Sequence, residues 1–80
     1  MTRYTATFHT HLSALLSARA LSEAGISARM APVPRCLSSS CGTCVVYDAE
    51  EPHRELLDVD MESVYRQEQS GEYSLLLQNS

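Results

Sequence analysis

Alternating and helix-like spacings of apolar residues define two elements at the start of the chain. Residues 4–8 alternate between apolar and polar side chains, the pattern of a half-buried β-strand. Thr10 suits the N-cap of a helix that runs to about residue 24, and Gly25 suits the position just after its end. We expect the apolar side of this helix to face the core; that side comprises Leu12, Ala14, Leu15, Leu16, Ala18 and Leu21.

The rest of the chain contains further strand-like segments and one more helical segment. Residues 26–30 alternate and predict the second strand, and the compact run at 44–47 predicts the third. Pro52 suits the first turn of a short helix over about 50–58. Residues 62–66 then predict the fourth strand.

The order of these elements is β-α-β-β-α-β, which predicts an α+β domain of the ferredoxin-like type. Short right-handed connections favour one four-stranded antiparallel sheet with both helices on one face. Residues 1–68 would form this domain. Residues 69–80 would add either a fifth strand at 73–77, paired with the fourth as a hairpin, or a loose tail.

Composition and charge narrow the functional classes. The chain has 80 residues, of which 44% are hydrophobic, so it suits one small domain. Its net charge is -4 and its 6 basic residues are all arginine, which disfavours nucleic-acid or anionic-membrane binding and excludes a Schiff-base lysine. Because no signal-peptide or membrane-span pattern is present, we expect a cytoplasmic protein.

All three cysteines, Cys36, Cys41 and Cys44, lie within residues 36–44. An odd number of thiols in a reducing compartment disfavours a disulfide framework. Thiol transfer, redox cycling and metal binding remain as the candidate chemistries. The Cys-x-x-Cys pair at 41–44 precedes a strand, so it lacks the helix N-terminus that activates a thioredoxin-type thiol.

A zinc or iron–sulfur site is one alternative for the clustered cysteines. A closed zinc site needs four ligands, which the three thiols and either His11 or His9 would supply. In the expected fold, the end of the first strand, the start of the first helix and the loop between strands two and three share one rim. Both histidines and Thr10 would therefore lie near the thiols.

Carriage of sulfur or selenium is a second alternative. A carrier thiol must be accessible and activated, and we expect the loop rich in serine and glycine to be mobile. Arg35 and the start of the first helix would supply a positive field, and Cys44 or Cys36 could release the cargo by exchange. In a plainer interpretation, Cys44 is a small buried residue, Cys36 is an incidental exposed thiol, and the chain is a partner-recognition domain.

The chain contains the segments Phe8-His9-Thr10-His11, Pro32-Val33-Pro34-Arg35 and Ser38-Ser39-Ser40-Cys41-Gly42. Together they resemble the selenium/sulfur carrier-like family, a group of small bacterial domains, over about residues 4–67. The resemblance implies that the cysteine which carries sulfur or selenium is Cys41. It also implies that Cys41 and Gly42 form the functional core of the motif.

We therefore expect a carrier, at most sulfurtransferase-like in activity, that accepts a persulfide or selenide from a donor protein and passes it to an acceptor protein. Cys41 is expected to be the carrying thiol and Cys44 the resolving thiol. The supporting residues are expected to be Gly42, Arg35, Cys36 and Thr10. No cofactor is expected. The alternatives are the metal site and a thiol-redox or recognition module. The apolar run at 75–77 could pair two copies of the chain.

Overall fold

The computed structural model describes residues 1–79 and contains one α-helix and five strands within them. In chain order these elements are β1 (Thr2–Phe8), α1 (His11–Glu23), β2 (Ser27–Pro32), β3 (Thr43–Ala49), β4 (Met61–Gln67) and β5 (Tyr73–Gln78). The α+β class and the first helix are confirmed. The additional C-terminal strand is also confirmed, because β5 pairs antiparallel with β4.

The five strands form one antiparallel sheet in the order β2-β3-β1-β4-β5. Because β1 and β2 both run antiparallel to β3, they point the same way. The end of β1, the start of α1 and the β2–β3 loop therefore lie at one end of the sheet, as predicted. The start of β4 lies there too, since Met61 pairs with Phe8.

The prediction of a second helix over 50–58 is wrong. The structure has one helix where the ferredoxin-like prediction had two. Its place is taken by a single 3-10 turn at Arg54–Leu56. His53 adopts a left-handed φ of 52°, which interrupts a right-handed helix. The Tyr47 hydroxyl donates to the Pro52 carbonyl, which fixes this segment against β3 in a non-helical path.

Both predicted ends of α1 are confirmed. The Thr10 hydroxyl accepts a hydrogen bond from the Ser13 N–H at 3.2 Å, as an N-cap should. At the other end Gly25 has a φ of 84°, and the Ile26 N–H donates to the Leu21 carbonyl at 3.0 Å. This is the Schellman arrangement, which suits glycine because glycine has no Cβ to clash.

The prediction that all the leucines of α1 face the core is wrong for three of them. Leu12, Leu15 and Leu16 are 61%, 40% and 44% exposed. Leu21 alone among the four is fully buried. The helix turns its smaller side chains inward, and its buried residues are Ser13, Ala14, Ser17 and Leu21.

Two hydroxyl groups explain why the serine side of α1 faces inward. The Ser17 hydroxyl accepts from the Asp58 N–H at 2.8 Å, and the Ser13 hydroxyl donates to the Asp60 carboxylate at 2.8 Å. These bonds satisfy polar groups that would be costly to bury without partners. The segment before β4 therefore sets the rotation of the helix.

The hydrophobic core lies between α1 and the sheet face that carries Tyr4, Ala6 and Phe8. Thr5 and Thr7 point to the other sheet face, yet they are only 1% and 0% exposed. The central strand is thus covered on both faces. No helix within residues 1–79 combines the length and the apolar character needed to cross a membrane.

Candidate functional site

The loop between β2 and β3, residues 33–42, carries two of the three cysteines and is named the cysteine loop below. Its base is closed by a hydrogen bond from the Val33 N–H to the Gly42 carbonyl at 3.0 Å. Gly42 has a φ of 74°, a left-handed conformation that glycine adopts without strain. This turn feeds the chain directly from Cys41 into β3.

Side chains of the loop serines tie the cysteine loop to the rim of the sheet. The Ser39 hydroxyl donates to the Phe8 carbonyl at 3.0 Å. The Ser40 N–H and hydroxyl donate to the two carboxylate oxygens of Glu62 at 3.0 and 2.9 Å. His9 Nδ1 lies 3.3 Å from the Ser40 hydroxyl. Two of the serines that predicted a mobile loop, Ser39 and Ser40, are therefore hydrogen-bonded in this structure.

Glu62 and Ser40 are site residues that the sequence analysis missed. Glu62 lies 22 residues after Ser40 in the chain and belongs to β4, so no local motif joins them. The predicted topology contained the one available signal. In it the start of the fourth strand lies beside the end of the first, so a carboxylate there would reach the rim.

The electrostatics of Glu62 favour its charged form. Burial is the strongest influence and raises the pKa of Glu62, but hydrogen bonds from Ser40 and Ser39 and the charge of His9 together lower it below its ordinary value. His9 Nδ1 is 3.5 Å from the nearer Glu62 oxygen, so a protonated His9 forms an ion pair there. The contact with the loop is therefore charge-assisted.

Cys41 is half-buried at the end of the cysteine loop, against the start of β3. Its thiol donates to the Thr43 carbonyl at 3.5 Å and lies 4.0 Å from the Ser39 hydroxyl. His11, the first residue of α1, places Nδ1 3.3 Å from the Thr43 hydroxyl. The structure thus brings the start of α1 and both predicted histidines close to Cys41.

Cys44 occupies a different environment from Cys41. It lies on β3 with 0% exposure, and its thiol donates to the Pro32 carbonyl at 3.7 Å. Burial raises the pKa of the Cys44 thiol; Arg29 opposes this shift and Cys41 adds to it. Cys44 is thus a buried, protonated thiol at neutral pH. This matches the plainer interpretation of its packing and leaves its resolving role as a prediction.

Cys36 and Arg35 are both exposed on the cysteine loop. Cys36 and Leu37 line a cavity of about 340 Å³ together with the β4–β5 hairpin, including Tyr73. This hairpin is at the opposite end of the sheet from the histidines, because Tyr73 pairs with Gln67 at the end of β4. Arg35 forms no ion pair with another residue of the 1–79 range.

Thr10 serves the helix rather than the thiols. Besides capping α1, its hydroxyl donates to the Asp60 carboxylate at 3.1 Å. The hydrogen bond from Ser13, followed by that from Thr10 and the charge of His9, lowers the pKa of Asp60, although burial acts in the opposite direction. Thr10 therefore positions the start of α1 at the rim.

The four residues of the alternative metal site, Cys36, Cys41, Cys44 and His11, are not gathered into a ligand cluster. Within residues 1–79, the one group of three or more candidate ligands with atoms inside 4.8 Å of one another is Glu51, His53 and Glu55. That group lies by the 3-10 turn, on the segment that connects β3 to β4. The thiols instead occupy three separate environments.

Comparisons with known proteins identify the family of this chain. No curated protein and no solved structure gave a match. One family model matches residues 3–63, which span β1 to the first part of β4 and include the whole cysteine loop. The chain therefore belongs to the family described as "Putative Se/S carrier protein-like".

Proposed function

We propose that this domain accepts a sulfur or selenium atom on Cys41 and passes it to a second protein. The observation that carries the proposal is the contrast among the three thiols. Cys41 combines partial exposure with a defined position, whereas Cys44 is buried and Cys36 lies exposed near the far hairpin. Membership of the Se/S carrier-like family supports the same assignment.

The loading step needs no external oxidant. The Cys41 thiolate attacks the outer sulfur of a donor persulfide, R–S–SH. The S–S bond of the donor breaks, and the donor leaves as the thiolate R–S⁻. Cys41 then holds the group Cys41–S–SH. A selenium cargo reacts in the same way, with selenium as the transferred atom. Handover to an acceptor thiolate repeats the exchange in the opposite direction and regenerates the Cys41 thiolate.

Cys44 offers a second route of release. Its thiolate attacks the inner sulfur of Cys41–S–SH, which forms a Cys41–Cys44 disulfide and expels HS⁻. A partner dithiol must then reduce this disulfide before the next cycle. The route requires Cys44 to lose its proton and to leave its closed position under the Pro32 carbonyl.

The other proposed residues act on the geometry and field of Cys41. Gly42 supplies the left-handed turn that follows Cys41, and Thr10 positions the start of α1 near Thr43. The helix N-terminus and the exposed Arg35 would attract an anionic donor group. The role of Cys36 would be limited to that of an exposed exchangeable thiol.

The proposed partners are the donor and acceptor proteins. Three free thiols are maintained in a reducing compartment, which agrees with a cytoplasmic location. Pairing of two copies through β5 is a further proposal, because Leu75 and Leu76 at this sheet edge are 50% and 38% exposed.

Loading with a small persulfide tests the assignment without a partner protein. The reduced protein is incubated with glutathione persulfide, and the added sulfur is mapped by intact-mass and peptide mass spectrometry. We expect Cys41→Ser to abolish loading and the matched Cys36→Ser variant to load like the wild type. Loading of Cys41→Ser at the wild-type level would exclude Cys41 as the carrier. A parallel experiment with the selenium analogue compares the two cargoes.

A further inference from the structure

Glu62 contacts the residue directly before the proposed carrier thiol. One carboxylate oxygen accepts the Ser40 N–H at 3.0 Å and the other accepts the Ser40 hydroxyl at 2.9 Å. The Glu62 side chain is only 20% exposed, whereas Ser40 on the loop is exposed. A contact with both the backbone and the side chain of Ser40 restrains the path of the chain into Cys41.

The cysteine loop covers the sheet face that lies away from α1. Cys44 and Thr7 pair with each other in the sheet and share this face, and both are 0% exposed. No helix packs there, since the one α-helix of residues 1–79 covers the face of Tyr4 and Phe8. The loop contacts Phe8 and Glu62 at the rim and reaches the β4–β5 hairpin at the other end, a path that accounts for the missing cover.

The buried face beneath the loop contains an unsatisfied polar group. Within residues 1–79 the Thr7 hydroxyl is the one buried side-chain oxygen or nitrogen without a hydrogen-bond partner. An unsatisfied buried hydroxyl destabilises the closed state of the loop. Opening the loop would let water reach this hydroxyl, which offsets part of the cost of opening. The loop therefore needs an attachment of its own to remain closed.

We infer that Glu62 is a positioning residue for the cysteine loop. Through Ser40 it keeps Cys41 at the Thr43 carbonyl and keeps Cys44 covered. Release of this contact lets Cys44 reach Cys41. The last part rests on the proposed carrier function, because it concerns the step that expels HS⁻ from Cys41–S–SH. The first part concerns the unmodified thiols and stands independently.

Site-resolved alkylation of the three thiols tests the closed state. The reduced protein is treated with iodoacetamide, and the rate at each cysteine is read by peptide mass spectrometry. We expect the rate at Cys44 to rise about tenfold in Glu62→Ala, the factor that corresponds to a loss of ~1.4 kcal/mol. Glu62→Gln, which keeps one acceptor oxygen, should give an intermediate rate.

Glu68 provides a matched control. Its carboxylate accepts from the Ser74 hydroxyl at 2.6 Å at the other end of the sheet, so Glu68→Ala removes a similar contact far from Ser40 and Cys41. The rate at Cys44 should then remain within about twofold of the wild type. Ser40→Ala combined with Glu62→Ala should be no faster than Glu62→Ala alone, because both remove one shared contact.

Hydrogen exchange separates loop opening from unfolding of the domain. In Glu62→Ala, we expect the slowest amides of β1 to exchange at the wild-type rate while Cys44 alkylation rises. Any of three results would overturn the inference: an unchanged alkylation rate at Cys44, an equal rise of that rate in Glu68→Ala, or a rise that matches the exchange of the β1 amides.

Sulfide release from preloaded protein tests the second part. We expect faster release in Glu62→Ala than in the wild type, and loss of this gain when Cys44→Ser is added. An equal gain in the presence and absence of Cys44 would overturn it. If Cys41 does not load at all, the proposed function fails, while the alkylation result still decides the role of Glu62.

Discussion

Two leucines of α1 provide a direct test of which side of the helix is buried. Leu21→Ala removes a side chain with 0% exposure, whereas Leu16→Ala removes one with 44% exposure. Loss of a buried leucine side chain costs about 2–5 kcal/mol, through lost burial and the cavity left behind. At the exposed site the change should stay within about 0.5 kcal/mol, and alanine also has the best helix propensity.

The small size of the domain makes this difference easy to measure. A domain of 80 residues has a free energy of unfolding of roughly 4–12 kcal/mol, at about 0.05–0.15 kcal/mol per residue. Each kcal/mol shifts the Tm of such a domain by about 4–8 °C. We therefore expect Leu21→Ala to lower the Tm by at least about 8 °C and Leu16→Ala by less than about 4 °C.

Thermal unfolding followed by circular dichroism, with urea titration at one temperature, provides the assay. Leu12→Ala serves as a second exposed control, because Leu12 is 61% exposed. Equal losses at Leu21 and Leu16, or a larger loss at Leu16, would refute the assignment of the inward side of α1. It would also revive the interpretation in which all four leucines form the core.

Three further predictions concern the cap, the turn and the rim contact. Thr10→Ala should lower the free energy of unfolding by about 1 kcal/mol in urea titrations, because it removes the N-cap bond to Ser13, and Thr10→Ser should retain it. Gly42→Ala should lower the free energy of unfolding by about 1 kcal/mol through backbone strain alone, since no atom lies within 4 Å of an added Cβ. Recovery of stability in Gly42→Asn would confirm this cause, and an unchanged stability in Gly42→Ala would contradict it. Because the folded pKa of Glu62 is lowered, its contribution to stability should be complete above its unfolded pKa near 4.5 and be lost as the pH falls through the folded pKa. If Glu62→Gln and the wild type had the same acid-unfolding profile, ionised Glu62 would not contribute to stability and the prediction would be wrong.

Local signals of the sequence led to correct predictions where their partners lie within a few residues. The cap at Thr10 and the left-handed Gly25 involve contacts three to five residues apart, so both ends of α1 were predicted correctly. The alternation at 4–8 likewise predicted β1, since the side chains of a strand alternate between its two faces. The position of Cys36 and Cys41 on a loop after the second strand followed from the same patterns.

Two predictions failed because side-chain hydrogen bonds that the apolar pattern does not indicate outweighed a local preference. The helix expected at 50–58 is replaced by a turn in which the Tyr47 hydroxyl binds the Pro52 carbonyl. The leucines of α1 were expected inside because apolar spacing alone cannot tell which of two sides meets the sheet. Ser17 decides this, through a hydrogen bond with Asp58, 41 residues further along the chain.

The sequence by itself therefore determined the α+β class, the ends of α1, the first four strands and the family-like segment around Cys41, and it left the fifth strand open. Periodicity and capping contain that information because they depend on near neighbours. The tertiary structure alone decided which thiol is accessible, which side of α1 is buried, and that Glu62 contacts Ser40. These features depend on groups brought together by strand order, and they are set by the need to satisfy buried polar atoms rather than by any local pattern.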